Sequence, residues 1–199
     1  MAKRLIIAID CDDVLIETTE YIVDVYNRQY GTSVTLDRSH DQDNEQWGVA
    51  DGEQLIQRFN EIQSTEEYAG LVPMPEALRA VKLLARDHEL HLVTARHGSI
   101  EAITEAMLNE YLPGCFTSME HVGRDRSKGE VCRQLKADIL IDDSIRNLQS
   151  VLEHGLPAGG ALHFGMYAWN RVNPLPEGVI SCFDWETVER EVERIATER

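Results

Sequence analysis

Three aspartates, Asp10, Asp12 and Asp13, stand within four positions directly behind the apolar segment 5–9. Carboxylates that lie a few ångströms apart repel one another and raise each other's pKa values. A cation, a partner base or solvent would relieve this repulsion, and each remedy implies a different kind of site. The crowding marks this segment as the first candidate for chemistry.

Further candidate residues stand at the ends of later apolar segments or at a helix start. They are Thr94, Ala95, Arg96, Lys128, Asp142 and Asp143. Hard oxygen ligands suit Mg²⁺, which binds one or two carboxylates and keeps several waters. Asp10 and Asp142 could hold this cation, with a backbone carbonyl near Asp12 as a further ligand.

The same residues could carry out phosphoryl transfer. Asp10 is a candidate nucleophile, because carboxylates form aspartyl-phosphate intermediates. Asp12, two positions further on, could protonate a leaving oxygen and then activate water. Lys128 begins a predicted helix. A cation at a helix start opposes the helix dipole, and an anion that docks there would explain its presence. The hydroxyl of Thr94 could bind a phosphoryl oxygen.

Composition limits the partners of such a site. The chain has 199 residues and a net charge of −16, from 35 acidic and 19 basic residues. A field of that sign repels nucleic acid and anionic membranes, so an anion site must be local. No apolar run reaches the ~18 residues of a membrane span, and the four scattered cysteines fit free thiols in a reducing cytoplasm. We therefore expect a cytoplasmic protein that binds neither nucleic acid nor membranes.

The elements that must position these residues alternate along most of the chain. Strands are predicted at 4–10, 91–94, 118–122, 139–142 and 161–164, and helices at 17–30, from 51, 75–87, 99–112, 128–135, 144–154 and 185–196. Alternation from residue 75 onward predicts a doubly wound α/β fold with a parallel sheet. Residues 16–74 show helical patterns only, so we predict a core of residues 1–15 and 75–199 with residues 16–74 as an inserted cap.

In a doubly wound sheet, ligands bind outside the carboxyl ends of the strands, where the strand order reverses. The aspartates after the first strand, Thr94 after the second and Asp142 in the fourth all lie at such ends. The predicted fold therefore brings these residues to one crevice.

Four segments resemble the motifs of the haloacid dehalogenase-like (HAD) hydrolases, in the family's order. They are IDCDDVL from Ile9, HLVTAR from His91, RSKGE around Lys128, and ILIDDS from Ile139. The resemblance implies a Rossmannoid core, Mg²⁺ as cofactor and a small phosphorylated metabolite as ligand. It implies Asp10 as nucleophile, Asp12 as general acid and base, Thr94, Ala95 and Lys128 as phosphate binders, and Asp10, Asp12 and Asp142 as the metal site.

Within this superfamily, the segment VLIETTEYIVDVYNRQYGTSVTL, followed by Trp47, looks like the 5′(3′)-deoxyribonucleotidase group. That group has a C1-type cap and places an aromatic residue shortly after its first motif, to stack on the nucleobase. This sequence has residues 17–20, ETTE, at that place, so Trp47 is the candidate stacking residue. The resemblance implies a phosphatase of (deoxy)nucleoside monophosphates.

Several residues have two interpretations. Asp143 could support the metal ligands or cap the next helix. Arg96 could reach the phosphate or pair with acidic residues of the cap. Lys136 competes with Lys128 as the phosphate-site lysine, and Trp47 is as well explained by the cap core.

At the level of function, the alternatives are a phosphatase of another phosphomonoester, such as a sugar phosphate, and a non-catalytic module that binds phosphoryl ligands. A homodimer is compatible with the sequence.

Overall fold

The computed structural model describes residues 3–39, 43–123, 126–171 and 173–198. Its centre is one parallel sheet with the order β3-β2-β1-β4-β5-β6. The strands are β1 (Ile6–Ile9), β2 (Glu89–Thr94), β3 (Ser118–His121), β4 (Ile139–Asp142), β5 (Ala161–Phe164) and β6 (Val179–Cys182). The predicted doubly wound α/β class is confirmed, and the strand order reverses between β1 and β4.

Eight α-helices are described around and beside this sheet. They are α1 (Thr19–Tyr30), α2 (Gly52–Gln63), α3 (Glu66–Ala69), α4 (Pro75–Asp87), α5 (Glu101–Tyr111), α6 (Lys128–Leu135), α7 (Ile145–Glu153) and α8 (Trp185–Glu198). Most predicted bounds agree within one or two residues, but the sequence analysis did not predict β6 or α3. Both elements have only four residues, too few for a periodic pattern to stand out.

Both faces of the sheet are covered, so its central strands are almost continuously apolar. Ile7 and Ile9 of β1 belong to a core cluster shared with α4, α5 and α8. Ala8, which points to the opposite face, belongs to a second cluster shared with α6 and α7. The two buried clusters hold the strand ends, and hence the polar residues that follow them, in fixed positions.

We call α1–α3 and the segments that connect them the cap. The cap has its own apolar cluster of buried residues, which comprises Val23, Tyr26, Val34, Trp47 and Ile62. The two segments that join cap and core are hydrogen-bonded to each other, from Met74 N to Leu15 O (2.8 Å). These features agree with an insertion at residues 16–74, although the boundaries themselves stay a prediction.

The fold bears on two expectations from the sequence, one about membrane-spanning helices and one about the cysteines. Within the described ranges, no helix has both the length and the apolar character that crossing a membrane requires. The four cysteines are free, and burial raises the pKa of the Cys11 thiol, so it is a packed neutral group.

Candidate active site

The candidate site lies where the strand order reverses. β1 and β4 are neighbours, and Asp10 N donates a hydrogen bond to Ile141 O (3.0 Å). Asp10 follows the last residue of β1, and Asp142 is the last residue of β4. The sheet therefore brings together two carboxylates that are 132 positions apart in the sequence.

Lys128 joins these two carboxylates. Its Nζ lies 2.7 Å from Oδ1 of Asp10 and 2.7 Å from Oδ2 of Asp142, and all three side chains are buried. The capping box of Ser127 and Glu130 fixes the start of α6, and hence the position of Lys128. Burial alone would lower the pKa of Lys128, but Asp10 and Asp142 raise it, so the ammonium group stays charged.

Asp142 is held by groups from the following helix as well. Its Oδ1 accepts hydrogen bonds from Ser144 N (2.9 Å) and from Nδ2 of Asn147 (3.0 Å). The N-cap residue of α7 is Ser144, so the interpretation of Asp143 as the N-cap is wrong. Asn147 was not predicted as a site residue from the sequence. Its place five residues after Asp142, on the first turn of a helix, could have indicated this contact.

A third carboxylate, Asp143, completes the cluster. Oxygens of Asp10, Asp142 and Asp143 all lie within 4.8 Å of one another. Burial raises the pKa of Asp143 well above its usual value, and the neighbouring carboxylates add to this rise. Burial also raises the pKa of Asp10 to about 7, against the opposing effect of Lys128.

The donor set of this cluster fits a hard divalent cation. Three carboxyl groups face one buried ammonium group, and the pKa values of Asp10 and Asp143 are raised in this environment. Among the described residues, no hydrogen-bond donor reaches the side-chain oxygens of Asp143. Free carboxylate oxygens in such a cluster are the ligands that Mg²⁺ prefers. Asp143 was predicted from the sequence as a supporting residue, whereas the fold places it beside Asp10 and Asp142, two of the three predicted metal residues.

Asp12 has a separate partner and lies outside the three-carboxylate cluster. Arg96 Nη2 lies 2.7 Å from Asp12 Oδ1, and Thr18 Oγ1 donates to the same oxygen (2.7 Å). Burial would raise the pKa of Asp12, but the charge and hydrogen bonds of Arg96 hold it below the usual value. Arg96 therefore pairs with the candidate general acid, which neither interpretation of this arginine had included.

The side chain of Asp13 binds the start of the first cap helix instead of the acidic cluster. Its carboxylate accepts hydrogen bonds from Thr18 N (2.9 Å), Thr19 N (3.0 Å) and the Thr19 hydroxyl. These groups stand at the start of α1. The helix begins at Thr19, two residues later than predicted. Burial raises the pKa of Asp13 to about 6, while the hydrogen bonds oppose that rise.

The predicted phosphate binders Thr94, Ala95 and Lys128 stand at the end of β2 and at the start of α6. Thr94 is buried at the end of β2, and its Oγ1 accepts a hydrogen bond from Arg96 N (3.2 Å). Ala95 is exposed and, together with Lys128, lines a cavity of about 770 Å³. Basic side chains are present there too, since Arg126 and Arg146 line the same cavity.

Two residues lie away from the site. Trp47 is only 2 % exposed and packs edge-on against Tyr26 and Phe59, which favours its interpretation as cap core. Lys136 ends α6 in the left-handed conformation (φ 57°), with its N–H bonded to the preceding turn. Lys128, not Lys136, is the lysine that the fold brings to the carboxylates.

Known structures share this fold. A haloacid dehalogenase-like family hydrolase from Streptococcus pneumoniae is 12% identical, with a TM-score of 0.65 over 94% of this chain and 98% of its own. The candidate HAD hydrolase YfnB of Bacillus subtilis, solved with bound magnesium, is 12% identical, with a TM-score of 0.63 over 96% of this chain and 99% of its own. At these identities, the similarity shows the fold alone.

The sequence also matches a family model. Residues 4–164 match the family described as 5′ nucleotidase, deoxy (pyrimidine), cytosolic type C protein. No curated protein matches the sequence. Because the family match spans more than half of the chain and the site carries the four motifs in order, the chain belongs to this nucleotidase family of HAD-like hydrolases and is an enzyme of the phosphatase class.

Proposed function

We propose that the protein is a Mg²⁺-dependent phosphomonoester hydrolase that acts through an aspartyl-phosphate on Asp10. The observation that carries this proposal is the environment of Asp10. One of its oxygens is fixed by Lys128 (2.7 Å) and Cys11 N (2.7 Å), and the other has no partner in the described chain. A carboxylate held in this way presents a single oxygen for attack.

In the first half-reaction, the free oxygen of Asp10 attacks phosphorus while the bond from phosphorus to the ester oxygen breaks. Asp12 gives a proton to the departing alcohol. In the second half-reaction, Asp12 takes a proton from water, whose oxygen attacks the same phosphorus and releases inorganic phosphate. Asp10 is regenerated, so atoms and charges balance over the cycle.

The protonation of Asp12 must change between these steps. Without substrate, Arg96 holds Asp12 ionised. A phosphate group that arrives with negative charge disfavours a neighbouring carboxylate anion, so it raises the pKa of Asp12 and favours the acid form. Once the alcohol has left, the resulting carboxylate is ready to act as a base.

Asp142, Asp143 and the Lys128-bound oxygen of Asp10 would hold Mg²⁺, with the predicted backbone carbonyl near Asp12, so that the other oxygen of Asp10 stays free for attack. The bound cation would supply neutralising charge to the phosphoryl oxygens. Lys128 and Thr94 would contact those oxygens from the protein side, and Ala95 would contribute its backbone. The magnesium bound in YfnB, which has the same fold, supports this assignment.

A deoxynucleoside monophosphate is the proposed substrate, because the matching family is described as a pyrimidine deoxynucleotidase family. Trp47 is not the base-stacking group in this proposal, since its ring is enclosed in the cap. A small metabolite as ligand and a cytoplasmic location are parts of the same proposal. The strongly acidic surface supports the expectation that nucleic acid is not a ligand.

The test is phosphate release from a panel of monoesters that contains dUMP, dTMP, ribonucleotides and sugar phosphates, each with Mg²⁺ and with EDTA. We expect metal-dependent release that favours deoxynucleotides. Release from sugar phosphates alone would keep the chemistry but overturn the substrate. No release from any ester, together with phosphate binding, would favour the non-catalytic module instead.

A further inference from the structure

The salt bridge between Arg96 and Asp12 joins a buried cation to a partly exposed anion. The side chain of Arg96 is 4% exposed, whereas that of Asp12 is 33% exposed. Nη2 of Arg96 lies 2.7 Å from Oδ1 of Asp12, and Nε lies 3.1 Å from each carboxylate oxygen. A guanidinium group that binds a carboxylate through several N–H groups restricts its orientation as well as its charge.

Arg96 is itself held on its other side. Nη1 donates to Thr104 Oγ1 (3.1 Å), and the Thr104 hydroxyl in turn donates to Ile100 O (2.7 Å). The ring of Tyr68, from α3 of the cap, lies 5.2 Å from the guanidinium carbon. Arg96 is therefore fixed by the core and covered by the cap, with three of its nitrogens already engaged.

The contacts make the two oxygens of Asp12 unequal. Oδ1 accepts hydrogen bonds from Nη2 and Nε of Arg96 and from the Thr18 hydroxyl (2.7 Å). From the residues that the structure describes, Oδ2 accepts only the shared Nε–H, at 3.1 Å. Since a carboxylate oxygen can accept about two hydrogen bonds, Oδ1 is saturated and Oδ2 keeps free capacity.

We propose that Arg96 is the positioning residue of the general acid and base. Together with Thr18, it anchors Oδ1 of Asp12, so that Oδ2 is the oxygen that exchanges protons with the leaving alcohol and with water. The inference rests on the proposed function and adds to it how Asp12 is oriented. It also predicts that Arg96 is not a phosphate ligand, because three of its five N–H groups are used within the protein and its side chain is 4% exposed.

The test uses two aryl esters that differ in how much their leaving group needs a proton. p-Nitrophenolate leaves readily as an anion, whereas phenolate is more basic and departs better with general-acid help. The ratio kcat/KM reports the steps up to leaving-group departure, so the later step with water does not enter. Arg96→Lys keeps the positive charge but loses the planar arrangement of N–H groups.

We expect Arg96→Lys to lower kcat/KM for phenyl phosphate by at least about tenfold, a part of the roughly 10²- to 10⁴-fold that a general acid contributes. The loss for p-nitrophenyl phosphate should be at most about threefold. Arg86→Lys, on the exposed end of α4, is the matched control and should change neither value. Equal losses on both esters in Arg96→Lys would overturn the inference.

Thr18→Val removes the other anchor of Oδ1 while it keeps the backbone N–H that binds Asp13. It should show the same preferential loss on phenyl phosphate, to a smaller extent, and it serves as the test if Arg96→Lys does not fold. The affinity for inorganic phosphate, measured by calorimetry, should stay within about twofold in both variants. A tenfold loss of phosphate affinity in Arg96→Lys would instead make this arginine a phosphate ligand.

Different results would reject the hydrolase mechanism through Asp10 and the positioning role of Arg96. Full activity in an Asp10→Asn variant would remove the proposed nucleophile, whatever Arg96 does. An inactive Asp10→Asn variant combined with equal losses in Arg96→Lys would leave the hydrolase in place and reject only the positioning role.

Discussion

At the scale of single residues, the crowding of aspartates is resolved by separate partners. Asp10 pairs with Lys128, Asp12 pairs with Arg96, and Asp13 accepts hydrogen bonds from the start of α1. Each carboxylate faces a different element of the fold, so the three acidic groups have three different environments. Two of them are available for chemistry, and the third connects the site to the cap.

Asp13 gives a prediction about pH. Its pKa is raised from 3.8 to about 6 in the folded protein, so the folded state holds this proton more tightly than the unfolded state. Ionisation of Asp13 therefore costs stability as the pH rises from about 4 to 6, and the pKa difference corresponds to about 3 kcal/mol. Asparagine at this position does not ionise and tolerates the positive φ of 55°.

We expect the stability of Asp13→Asn relative to the wild type to increase by up to about 3 kcal/mol between pH 4 and pH 7. Urea unfolding in EDTA at several pH values measures this difference. A stability difference that does not vary with pH would show that the Asp13 carboxylate has an ordinary pKa.

Residue types and motifs predicted that Asp10 and Asp142 meet, but they placed Asp12 rather than Asp143 in the metal cluster and left Lys136 as an alternative to Lys128. Asp10, Lys128 and Asp142 come together as the motifs suggested. The contact between Arg96 and Asp12 depends on side-chain directions across 84 positions, which no local pattern contains. Asn147 was missed because an amide on a helix start is more often a surface residue.

At the scale of elements, the cap core shows why a single aromatic residue is ambiguous in a sequence. Trp47 is the only large apolar residue in a polar stretch, a pattern that fits either an exposed stacking surface or a buried anchor. Its ring lies 4.8 Å from Tyr26 and 5.1 Å from Phe59, measured between centroids. The helices α1 and α2 that carry these partners were predicted, but their packing on Trp47 was not.

The buried position of Trp47 leads to a prediction. Trp47→Phe should lower the free energy of unfolding by about 1–2 kcal/mol, because buried aromatic volume and contacts are lost. The KM for dUMP should change less than twofold. Phe59→Leu, a comparable loss in the same cluster, should behave alike. A large rise in KM in Trp47→Phe with unchanged stability would restore Trp47 as a substrate contact.

Long periodic elements were predicted well, whereas short ones were not. The alternation of strands and helices from Pro75 onward was enough to predict the fold class, because buried parallel strands and amphipathic helices have strong sequence patterns. β6 and the one-turn helix α3 are held by their neighbours in the fold, so their sequences carry little signal. The order of the strands likewise depends on packing over the whole sheet rather than on any one segment.

At the scale of the whole molecule, charge sets the conditions for the site. The chain carries a net charge of −16, yet its function requires it to attract an anionic ester. The fold collects Arg126, Arg146 and Lys128 around one cavity and sets three carboxylates beside it. A bound divalent cation would complete this local reversal of the overall field.

Metal binding should therefore change global stability. Without a cation, the carboxyl groups of Asp10, Asp142 and Asp143 crowd together, and the pKa values of Asp10 and Asp143 are raised. Mg²⁺ at about 100 times its dissociation constant should stabilise the fold by about 2.7 kcal/mol. Asp143→Asn should lose most of this gain, whereas Asp24→Asn, which removes an exposed acid on α1, should keep it.

Thermal unfolding with Mg²⁺ or EDTA measures these differences. An equal response to Mg²⁺ in Asp143→Asn and the wild type would place the cation elsewhere. No response in the wild type at millimolar Mg²⁺ would contradict the metal site altogether.

The central claim is that Asp10 forms a covalent bond to phosphorus, and acid quenching during turnover tests it most directly. Protein mixed with ³²P-labelled substrate and Mg²⁺ is quenched in acid, digested and mapped by mass spectrometry. We predict that label is found on the peptide that contains Asp10, and that Asp10→Asn carries no label and shows no turnover while it keeps its fold. Turnover by Asp10→Asn at the wild-type rate, or label at another residue, would contradict the account.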